Sequence, residues 1–302
     1  MSAKNYDDLF GIIPALVTCL TDNHKIDTAG FRRLLEHVLT GRIDGVLVCG
    51  TAGEGPLLSS SLRADVIRLV RDEVPLEVPL VVGVGGFSTV IVLEAIDDVA
   101  KLRADYVLVP PPFYMPIPEP EVMEFYREVA EKSPIPILIY NIPQLTGVKI
   151  SVQCVKYLSS LPTVAGIKDS GGDLTWFQRI ILTCKSPQFR IFQGRTTLWF
   201  ISALLGADGV MDPAINIVPT WDSEIRRLVD LGDLAKARKI QDDLLTLAAS
   251  YSEPFDYSVY MGVKVALEYL GLINSTVMKP FKELNADRRA RIKITLERLS
   301  IL

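Results

Sequence analysis

Residues 164–173 read Val164-Ala-Gly-Ile-Lys-Asp-Ser-Gly-Gly-Asp173, an apolar run of strand type that ends in a lysine and passes at once into a polar, glycine-rich turn. A second such run, Ile135-Pro-Ile-Leu-Ile-Tyr140, ends in a tyrosine 28 residues before Lys168. That interval suits one strand–helix–strand repeat. Because neighbouring parallel strands end at the same edge of a sheet, Lys168 and Tyr140 are expected to lie side by side.

The same alternation extends along most of the chain. Short β-branched runs separated by longer amphipathic stretches predict parallel strands with crossover helices. The predicted strands are 11–17, 45–48, 80–84, 106–109, 137–140, 164–168, 190–193 and 209–211, and the predicted helices are 27–40, 59–73, 88–102, 119–132, 151–160, 174–184, 196–205 and 219–231. Eight such units predict an α/β protein of the (β/α)₈ barrel class, which needs about 250 residues.

The chain beyond the eighth unit is predicted to be helical. We expect a barrel over 1–232 and a three-helix extension over 233–302, with helices near 234–250, 258–270 and 286–299, packed on the barrel as one structural domain. The competing architecture is a doubly wound open sheet that binds a nucleotide. No Gly-x-Gly-x-x-Gly follows the first strand, and Gly83-Val-Gly-Gly86 comes only at the third, which argues against that alternative.

Composition disfavours several classes of protein and partner. The net charge is -4 without a long basic block, so nucleic acid is not an expected partner. Residues 1–8 lack an apolar signal core, and no run reaches the ~20 apolar residues that span a bilayer, so we expect a cytoplasmic protein without a membrane partner. Four scattered cysteines and only two histidines predict neither a metal site nor a histidine triad.

The strand-end lysine and tyrosine suit one kind of chemistry. A lysine surrounded by apolar groups loses solvation of its charged form, which favours the free amine. A free amine supplies the nucleophile, and a neighbouring phenol supplies the proton-transfer group, that a protein needs to form and hydrolyse a Schiff base with a keto acid. The sequence therefore predicts Lys168 as the nucleophile and Tyr140 as a proton-transfer group.

Three motifs at the predicted strand ends carry a family resemblance. They are Gly50-Thr51-x-Gly53-Glu54, Tyr140-Asn141-x-Pro143 and Gly166-Ile-Lys168-Asp169. In this order and register, over nearly the whole chain, they resemble the N-acetylneuraminate lyase and dihydrodipicolinate synthase superfamily. The resemblance implies a class I aldolase or lyase that uses pyruvate, needs no cofactor or metal, and forms a homotetramer built as a dimer of tight dimers.

The resemblance also implies roles for individual residues. Lys168 would form the Schiff base and Tyr140 would act as general acid and base, with a proton relay through Thr51 to Tyr114 of a neighbouring subunit. Backbone N–H groups at Thr51 and Ala52 would bind the keto-acid carboxylate. Ala52 stands where the family usually has a hydroxyl residue, so that affinity is expected to be modest. The predicted substrate-binding residues are Thr51, Ala52, Ser170, Gly194, Arg195 and Met211.

The three motifs do not by themselves distinguish the branches of the superfamily, and other positions are compared for that purpose. The synthase branch has an arginine where this chain has Leu145, and sialic acid lyases have an acidic pair where it has Arg195-Thr. The pattern is closest to 2-keto-3-deoxygluconate aldolases, or to 4-hydroxy-2-oxoglutarate aldolases, which share Lys168-Asp-Ser-Gly-Gly-Asp173.

Two residues keep more than one interpretation. Arg195 would hold a distal carboxylate or pair with local acids, and Asp212 would meet substrate hydroxyls or pair with Arg195. The alternatives for the whole protein are a synthase that condenses pyruvate with aspartate semialdehyde, and a non-catalytic barrel that binds a keto acid. Retention of Lys168, Tyr140 and Thr51 together argues against a mere binder, which needs no proton relay.

Overall fold

A computed structural model describes residues 6–252 and 259–302. Eight parallel strands form a single sheet. They are β1 (Gly11–Pro14), β2 (Val46–Val48), β3 (Leu80–Gly83), β4 (Tyr106–Val109), β5 (Ile137–Asn141), β6 (Val164–Asp169), β7 (Arg190–Gln193) and β8 (Gly209–Asp212). Their order around the sheet is β1-β8-β7-β6-β5-β4-β3-β2, so the strands from β2 to β8 pair with their neighbours in sequence and β1 pairs with β8.

The barrel closes between its first two strands. A parallel bridge joins Ala15 to Leu47, and the Leu16 N–H donates to the Leu47 carbonyl at 2.8 Å. The predicted (β/α)₈ barrel is therefore confirmed. The first strand is shorter than the predicted 11–17, because its ladder to β8 ends at Pro14 and the chain then turns toward β2.

Helices follow the strands in alternation. The barrel helices are α1 (Thr28–Leu39), α2 (Ser60–Glu73), α3 (Thr89–Lys101), α4 (Glu119–Lys132), α6 (Val152–Leu158), α7 (Leu174–Cys184), α8 (Trp199–Leu204) and α9 (Trp221–Asp230). An additional turn of helix, α5 (Pro143–Thr146), lies between β5 and α6, where the sequence analysis predicted none. Several helices begin as the sequence suggests, with the Asp27, Ser59 and Asp173 side chains accepting an N-terminal amide.

The core has two layers, which follow from the alternation of side chains along each strand. In β5, Ile137 and Ile139 pack outward against the helices, whereas Leu138 and Tyr140 face the barrel interior. In β6, Ile167 packs outward and Lys168, the next residue, lines the mouth of the barrel. The strand periodicity thus delivers both predicted reactive side chains to the inside.

Three more helices follow the barrel, as predicted: α10 (Leu234–Tyr251), α11 (Val259–Tyr269) and α12 (Ala286–Arg298). Residue 258, the predicted start of the middle helix, lies outside the described residues. Within the described ranges, no helix combines the length and apolar character needed to cross a membrane.

Candidate active site

Lys168 and Tyr140 meet at the carboxyl ends of adjacent strands. The two residues are register partners between β5 and β6, and the Lys168 Nζ lies 4.8 Å from the centroid of the Tyr140 ring. Only 5% of Lys168 and 6% of Tyr140 are exposed. The amine and the phenol therefore share one largely dehydrated site, at the barrel face where (β/α)₈ enzymes carry their chemistry.

A cavity of about 670 Å³ opens above this pair. Its wall brings together most of the residues singled out from the sequence, which come from the ends of β2, β5, β6 and β7. They are Thr51, Ala52, Tyr140, Lys168, Ser170, Gly194 and Arg195. A cavity of this size accommodates a small ligand that contacts Lys168 and a wall residue at once.

Two predicted site residues are not on this wall. Met211 pairs with Ile13 in the barrel and is completely buried below the cavity, in the interior layer. Its side chain fills the barrel because that layer requires bulky apolar groups. Tyr114 lies in the loop after β4, is 86% exposed, and packs edge-on against Phe87 with ring centroids 6.0 Å apart.

The C-terminal extension forms one side of the cavity. Its contribution is mostly apolar and comes from α10, α11 and the residue after α10: Leu245, Ala248, Ala249, Tyr251, Ser252, Val259 and Tyr260. The sequence analysis did not predict these residues, because their helical periodicity looks the same whether a helix covers a core or a ligand site. The extension is thus part of the site.

The loop after β2 is held in an unusual conformation. Cys49 and Glu54 have φ of 55° and 56°, left-handed values that non-glycine residues adopt at roughly 1–3 kcal/mol each. The residue after Glu54, Gly55, must be a glycine, since an added Cβ would lie 1.8 Å from the Cys49 carbonyl oxygen. The resulting tight turn presents Thr51 and Ala52 to the cavity.

Glu54 anchors this loop to the C-terminal extension. Its carboxylate accepts hydrogen bonds from the Lys264 Nζ and from the Met278 N–H, and both Glu54 and Lys264 are buried. Burial lowers the pKa of Lys264, while the Glu54 charge opposes that shift. Sequence analysis did not identify Lys264, which is 210 residues from Glu54 along the chain.

The turn after β6 depends on a buried carboxyl group. The Asn141 Nδ2 donates to the Asp169 Oδ1 at 2.7 Å, and the Gly171 N–H donates to the same oxygen at 3.0 Å. Burial raises the pKa of Asp169, and these hydrogen bonds oppose the shift. This arrangement links the Tyr140-Asn141 and Lys168-Asp169 motifs and keeps their two strand ends in register.

Gly194 leaves room for the lysine. A Cβ at this position would lie 2.1 Å from the Ser170 Oγ, 2.8 Å from the Asp169 carbonyl oxygen and 3.0 Å from the Lys168 Cε. The Gly194 N–H also donates to that Asp169 carbonyl at 2.6 Å. A side chain is therefore excluded where β7 passes the stem of Lys168.

Arg195 lies at the rim of the cavity. Its Nε donates to the Ser170 carbonyl at 2.8 Å, and the Gln144 Nε2 donates to the same oxygen at 3.0 Å. Neither terminal nitrogen of Arg195 has a hydrogen-bond partner in the described part of the chain. The guanidinium is thus oriented by one bond, and its terminal nitrogens remain available to an anion.

Asp212 is held by backbone amides. Its two carboxylate oxygens accept from the Thr196 and Ala214 N–H groups, both at 2.8 Å, and no ion pair joins it to Arg195 in ranges 6–252 and 259–302. Burial raises the pKa of Asp212, and the nearby Lys168 and Arg195 charges oppose that shift. Because Asp212 lines the cavity, its remaining lone pairs are placed to accept from a ligand hydroxyl.

Asp222 lies behind Asp212, away from the cavity wall. Its Oδ1 accepts from the Thr196 hydroxyl at 2.9 Å, and its Oδ2 has no hydrogen-bond partner among the residues that the structure describes. Burial, followed by the Asp212 charge, raises the pKa of Asp222 to about 8. Sequence analysis did not single out Asp222, since it falls in an ordinary amphipathic helix.

The fold and the site together define a (β/α)₈-barrel enzyme with a buried lysine and tyrosine at the carboxyl ends of adjacent strands. Comparison with known proteins gives the family. The model of the dihydrodipicolinate synthetase family matches residues 8–299, and the chain belongs to that family. Its members are carbon–carbon lyases and aldolases that use pyruvate, so the chain is an enzyme of this kind and the predicted superfamily is confirmed.

Individual relatives are similar over nearly their full length. The 4-hydroxy-tetrahydrodipicolinate synthase of Methanothrix thermoacetophila is 30% identical over 292 residues, covering 97% of both chains. An uncharacterized DapA-like lyase of Halobacterium salinarum is 32% identical over 298 residues, covering 97% of this chain and 95% of the relative.

A solved structure shows the same fold with a ligand. The complex of YagE, a prophage protein of the dihydrodipicolinic acid synthase family from E. coli K12, with pyruvate superimposes with a TM-score of 0.91. The two sequences are 28% identical, with 97% of this chain and 99% of YagE covered.

Proposed function

We propose that this enzyme is a Schiff-base-forming class I aldolase that reversibly cleaves a 2-keto-3-deoxy sugar acid or a related 4-hydroxy-2-keto acid to pyruvate and an aldehyde. The observation that carries the proposal is the 4.8 Å approach of the Lys168 Nζ to the Tyr140 ring in a buried site. A small-molecule keto acid is the partner, and no cofactor enters the reaction.

The reaction uses the two residues in turn. The Lys168 amine adds to the C2 carbonyl, and loss of water gives a protonated imine. The Tyr140 phenolate takes the proton of the C4 hydroxyl, the C3–C4 bond breaks to release the aldehyde, and its electron pair neutralises the imine as an enamine. Protonation at C3 and hydrolysis then release pyruvate and restore the lysine.

The keto-acid carboxylate would bind at the loop after β2. Thr51 and Ala52 line the cavity there, between residues with left-handed backbone, and their backbone N–H groups would donate to the carboxylate. Ala52 has no hydroxyl group, so it donates no side-chain hydrogen bond to the carboxylate. A hydrogen bond to a charged group contributes about 1.5–3 kcal/mol.

The proton relay would be completed by a second copy of the chain. Tyr114 has a φ of 82°, rare for a bulky residue, and its ring stands in solvent beside the exposed Phe87 and Met115. An exposed apolar patch around a strained tyrosine suits a subunit interface. We propose that Tyr114 reaches Thr51 of a neighbouring subunit, in a homotetramer.

The substrate tail would meet Arg195 and Asp212. The guanidinium at the rim suits a distal carboxylate, and the amide-held carboxylate of Asp212 suits a hydroxyl of the same ligand. These contacts favour a substrate with an anionic end over one with a neutral tail. Ser170 and Gly194 would contact the reacting centre through their position beside Lys168.

A second candidate is 4-hydroxy-tetrahydrodipicolinate synthase, which condenses pyruvate with aspartate semialdehyde. Its support comes from the relatives, several of which bear this name at about 30% identity. Leu145 lies on the cavity wall and has no guanidinium to bind the second carboxylate. Arg195 shares the Ser170 carbonyl with Gln144 of α5, and under this candidate its guanidinium would bind that carboxylate in place of the missing arginine.

A substrate panel separates the two reactions. We would measure pyruvate release from 2-keto-3-deoxygluconate, its galactose epimer, the 6-phosphate, 4-hydroxy-2-oxoglutarate and N-acetylneuraminate, beside condensation of pyruvate with aspartate semialdehyde. Release that is lost in Lys168→Ala supports the aldolase. Condensation without release supports the synthase. Failure of every reaction, with no borohydride trapping of pyruvate on the protein, would leave a keto-acid-binding barrel.

Arg195 can be tested on the same panel. Arg195→Ala should raise the KM for a diacid about tenfold, the scale of one charge-assisted hydrogen bond, and leave the KM for a neutral-tail substrate unchanged. Arg179→Ala, which removes an exposed arginine on α7 outside the cavity wall, is the matched control. An equal effect on both substrates would exclude Arg195 as the tail-binding residue.

The cellular location is proposed to be the cytoplasm. All four cysteines are buried and unpaired. Free cysteines without disulfide partners are typical of proteins that work in a reducing compartment.

A further inference from the structure

Lys264 is a fully buried charge that the proposed reaction does not use. It lies on α11, and its Nζ donates to the Glu54 carboxylate and to the Thr276 carbonyl, the latter at 2.7 Å. The second Glu54 oxygen accepts from the Met278 N–H at 2.6 Å. The buried carboxylate is thus tied to two parts of the C-terminal extension, and both of its oxygens are satisfied.

The residue that Lys264 holds sets the shape of the loop after β2. Glu54 has left-handed backbone angles, and its N–H donates to the Thr51 carbonyl at 3.1 Å. The next residue, Gly55, donates to the Gly50 carbonyl at 3.0 Å. These bonds turn both carbonyls back into the loop, so the cavity face of the turn is left to Thr51 and Ala52.

Strained backbone persists only where the surroundings determine it. Two side chains connect this strained turn to the rest of the described structure. The Thr18 hydroxyl donates to the Gly53 carbonyl at 2.5 Å, and the Glu54 carboxylate ties the turn to the C-terminal extension. Without the ammonium group, Glu54 would keep one amide bond and an uncompensated buried charge, and would be driven toward water. The turn would then relax away from the conformation that faces the cavity.

We infer that Lys264 is a positioning residue for the keto-acid site, which acts through Glu54 to hold the loop that presents Thr51 and Ala52 to the substrate carboxylate. The inference rests on the proposed function for the identity of the ligand. The C-terminal extension therefore contributes to affinity for the keto acid through a buried ion pair as well as through the residues that line the cavity.

The alternative is a purely structural ion pair. Such a pair would change the stability of the protein when removed and leave the affinity of the folded site unaltered. The test therefore needs a readout of affinity and of loop order that does not depend on stability. Borohydride trapping of pyruvate on Lys168 gives the first, and amide hydrogen exchange of residues 50–57 gives the second.

The variants are Lys264→Met and the double variant Glu54→Gln with Lys264→Met. The double variant leaves no unpaired buried charge, so removal of the ion pair costs less stability than in the single variant. It keeps an oxygen for the Met278 amide but loses the charge-assisted bond to α11, so a single neutral bond then ties the Glu54 position to the extension. Lys239→Met removes a lysine from the exposed face of α10 and is the matched control. All proteins are used as full chains, with pyruvate as the probe.

The expected result is a rise of about tenfold in the pyruvate concentration for half-maximal trapping, the scale of one hydrogen bond to a charged group. Residues 50–57 should exchange faster in the double variant, and Lys239→Met should match the wild type in both measurements. Wild-type trapping and exchange in a folded double variant would overturn the inference.

Failure of the proposed function gives a different pattern. If the wild type traps no pyruvate, the assigned ligand is wrong, and exchange alone then decides the positioning role. Faster exchange of residues 50–57 in the double variant would still show that Lys264 orders the loop after β2. Unchanged exchange would refute that role.

Discussion

Tyr140 and Lys168 occupy matched register positions on β5 and β6, and their side chains meet inside the barrel with the amine 4.8 Å from the ring centroid. The contact follows from the pairing of two strands and does not depend on the conformation of a loop. Parallel pairing places the two strand ends together, and the two-residue alternation turns both side chains inward.

The phenol of Tyr140 is expected to matter for rate more than for binding. Tyr140→Phe should lower kcat by about 10²- to 10⁴-fold, the usual contribution of a general acid or base. Lys168 should still become trapped by borohydride with pyruvate, although more slowly. Tyr6→Phe is the matched control, since it removes a buried phenol that donates to the Pro162 carbonyl at 2.7 Å, away from the cavity wall. An unchanged kcat in Tyr140→Phe would remove the phenol from the mechanism.

Gly194→Ala should impair the lysine without unfolding the barrel. The new methyl group would lie 2.1 Å from the Ser170 Oγ, 2.8 Å from the Asp169 carbonyl oxygen and 3.0 Å from the Lys168 Cε. The Ser170 side chain and the backbone on either side of it must therefore move, and the lysine stem with them. We expect trapping of pyruvate to slow at least about tenfold, with a loss of about 1–3 kcal/mol in stability from overpacking. A trapping rate in Gly194→Ala equal to that of the wild type would contradict this prediction.

The proposed role of Tyr114 predicts complementation between subunits. Lys168→Ala and Tyr114→Phe should each be nearly inactive alone. Mixed under conditions that exchange subunits, they should regain activity, because one hybrid site combines an intact Lys168 with the intact Tyr114 of its neighbour. Activity is measured after mixing and after each variant is treated alone. Absence of recovery, with hybrids demonstrated by native mass spectrometry, would place Tyr114 outside the neighbour's site.

The buried carboxyl of Asp222 predicts a pH-dependent stability. Its pKa is raised from 3.8 to about 8, so the native state keeps the proton after the unfolded state has released it. The free energy of unfolding should therefore fall as pH rises from about 4 to about 8, and level off above that range. Asp222→Asn, which keeps an oxygen for the Thr196 hydroxyl, should lose this component.

The measurement for Asp222 is the urea midpoint of both proteins across that range. The wild-type midpoint should decline relative to that of Asp222→Asn as pH increases. Parallel pH profiles would mean that Asp222 is already ionised in the native protein.

Much of the site was predictable because its parts belong to regular structure. Lys168 and Tyr140 end apolar runs, so strand pairing alone brings them together. The turn at α5 and the end of β1 at Pro14 were not predictable, because each depends on packing at the barrel rim that leaves no periodic pattern. Met211 illustrates the same limit. Its place at a strand end did not show whether its side chain lines the cavity or fills the buried interior layer, because these two environments are one residue apart.

The sequence by itself determined the barrel, the order of its units, and the pair of reactive side chains at neighbouring strand ends. Periodicity and strand pairing are local physical rules that operate along the chain. The tertiary structure alone decided that Lys264 meets Glu54 across 210 residues, and that Arg195 joins the cavity wall with its Nε bonded to the Ser170 carbonyl. Those contacts depend on how separate elements pack and on which charged groups become buried together. Neither of these leaves a pattern in the sequence of a single segment.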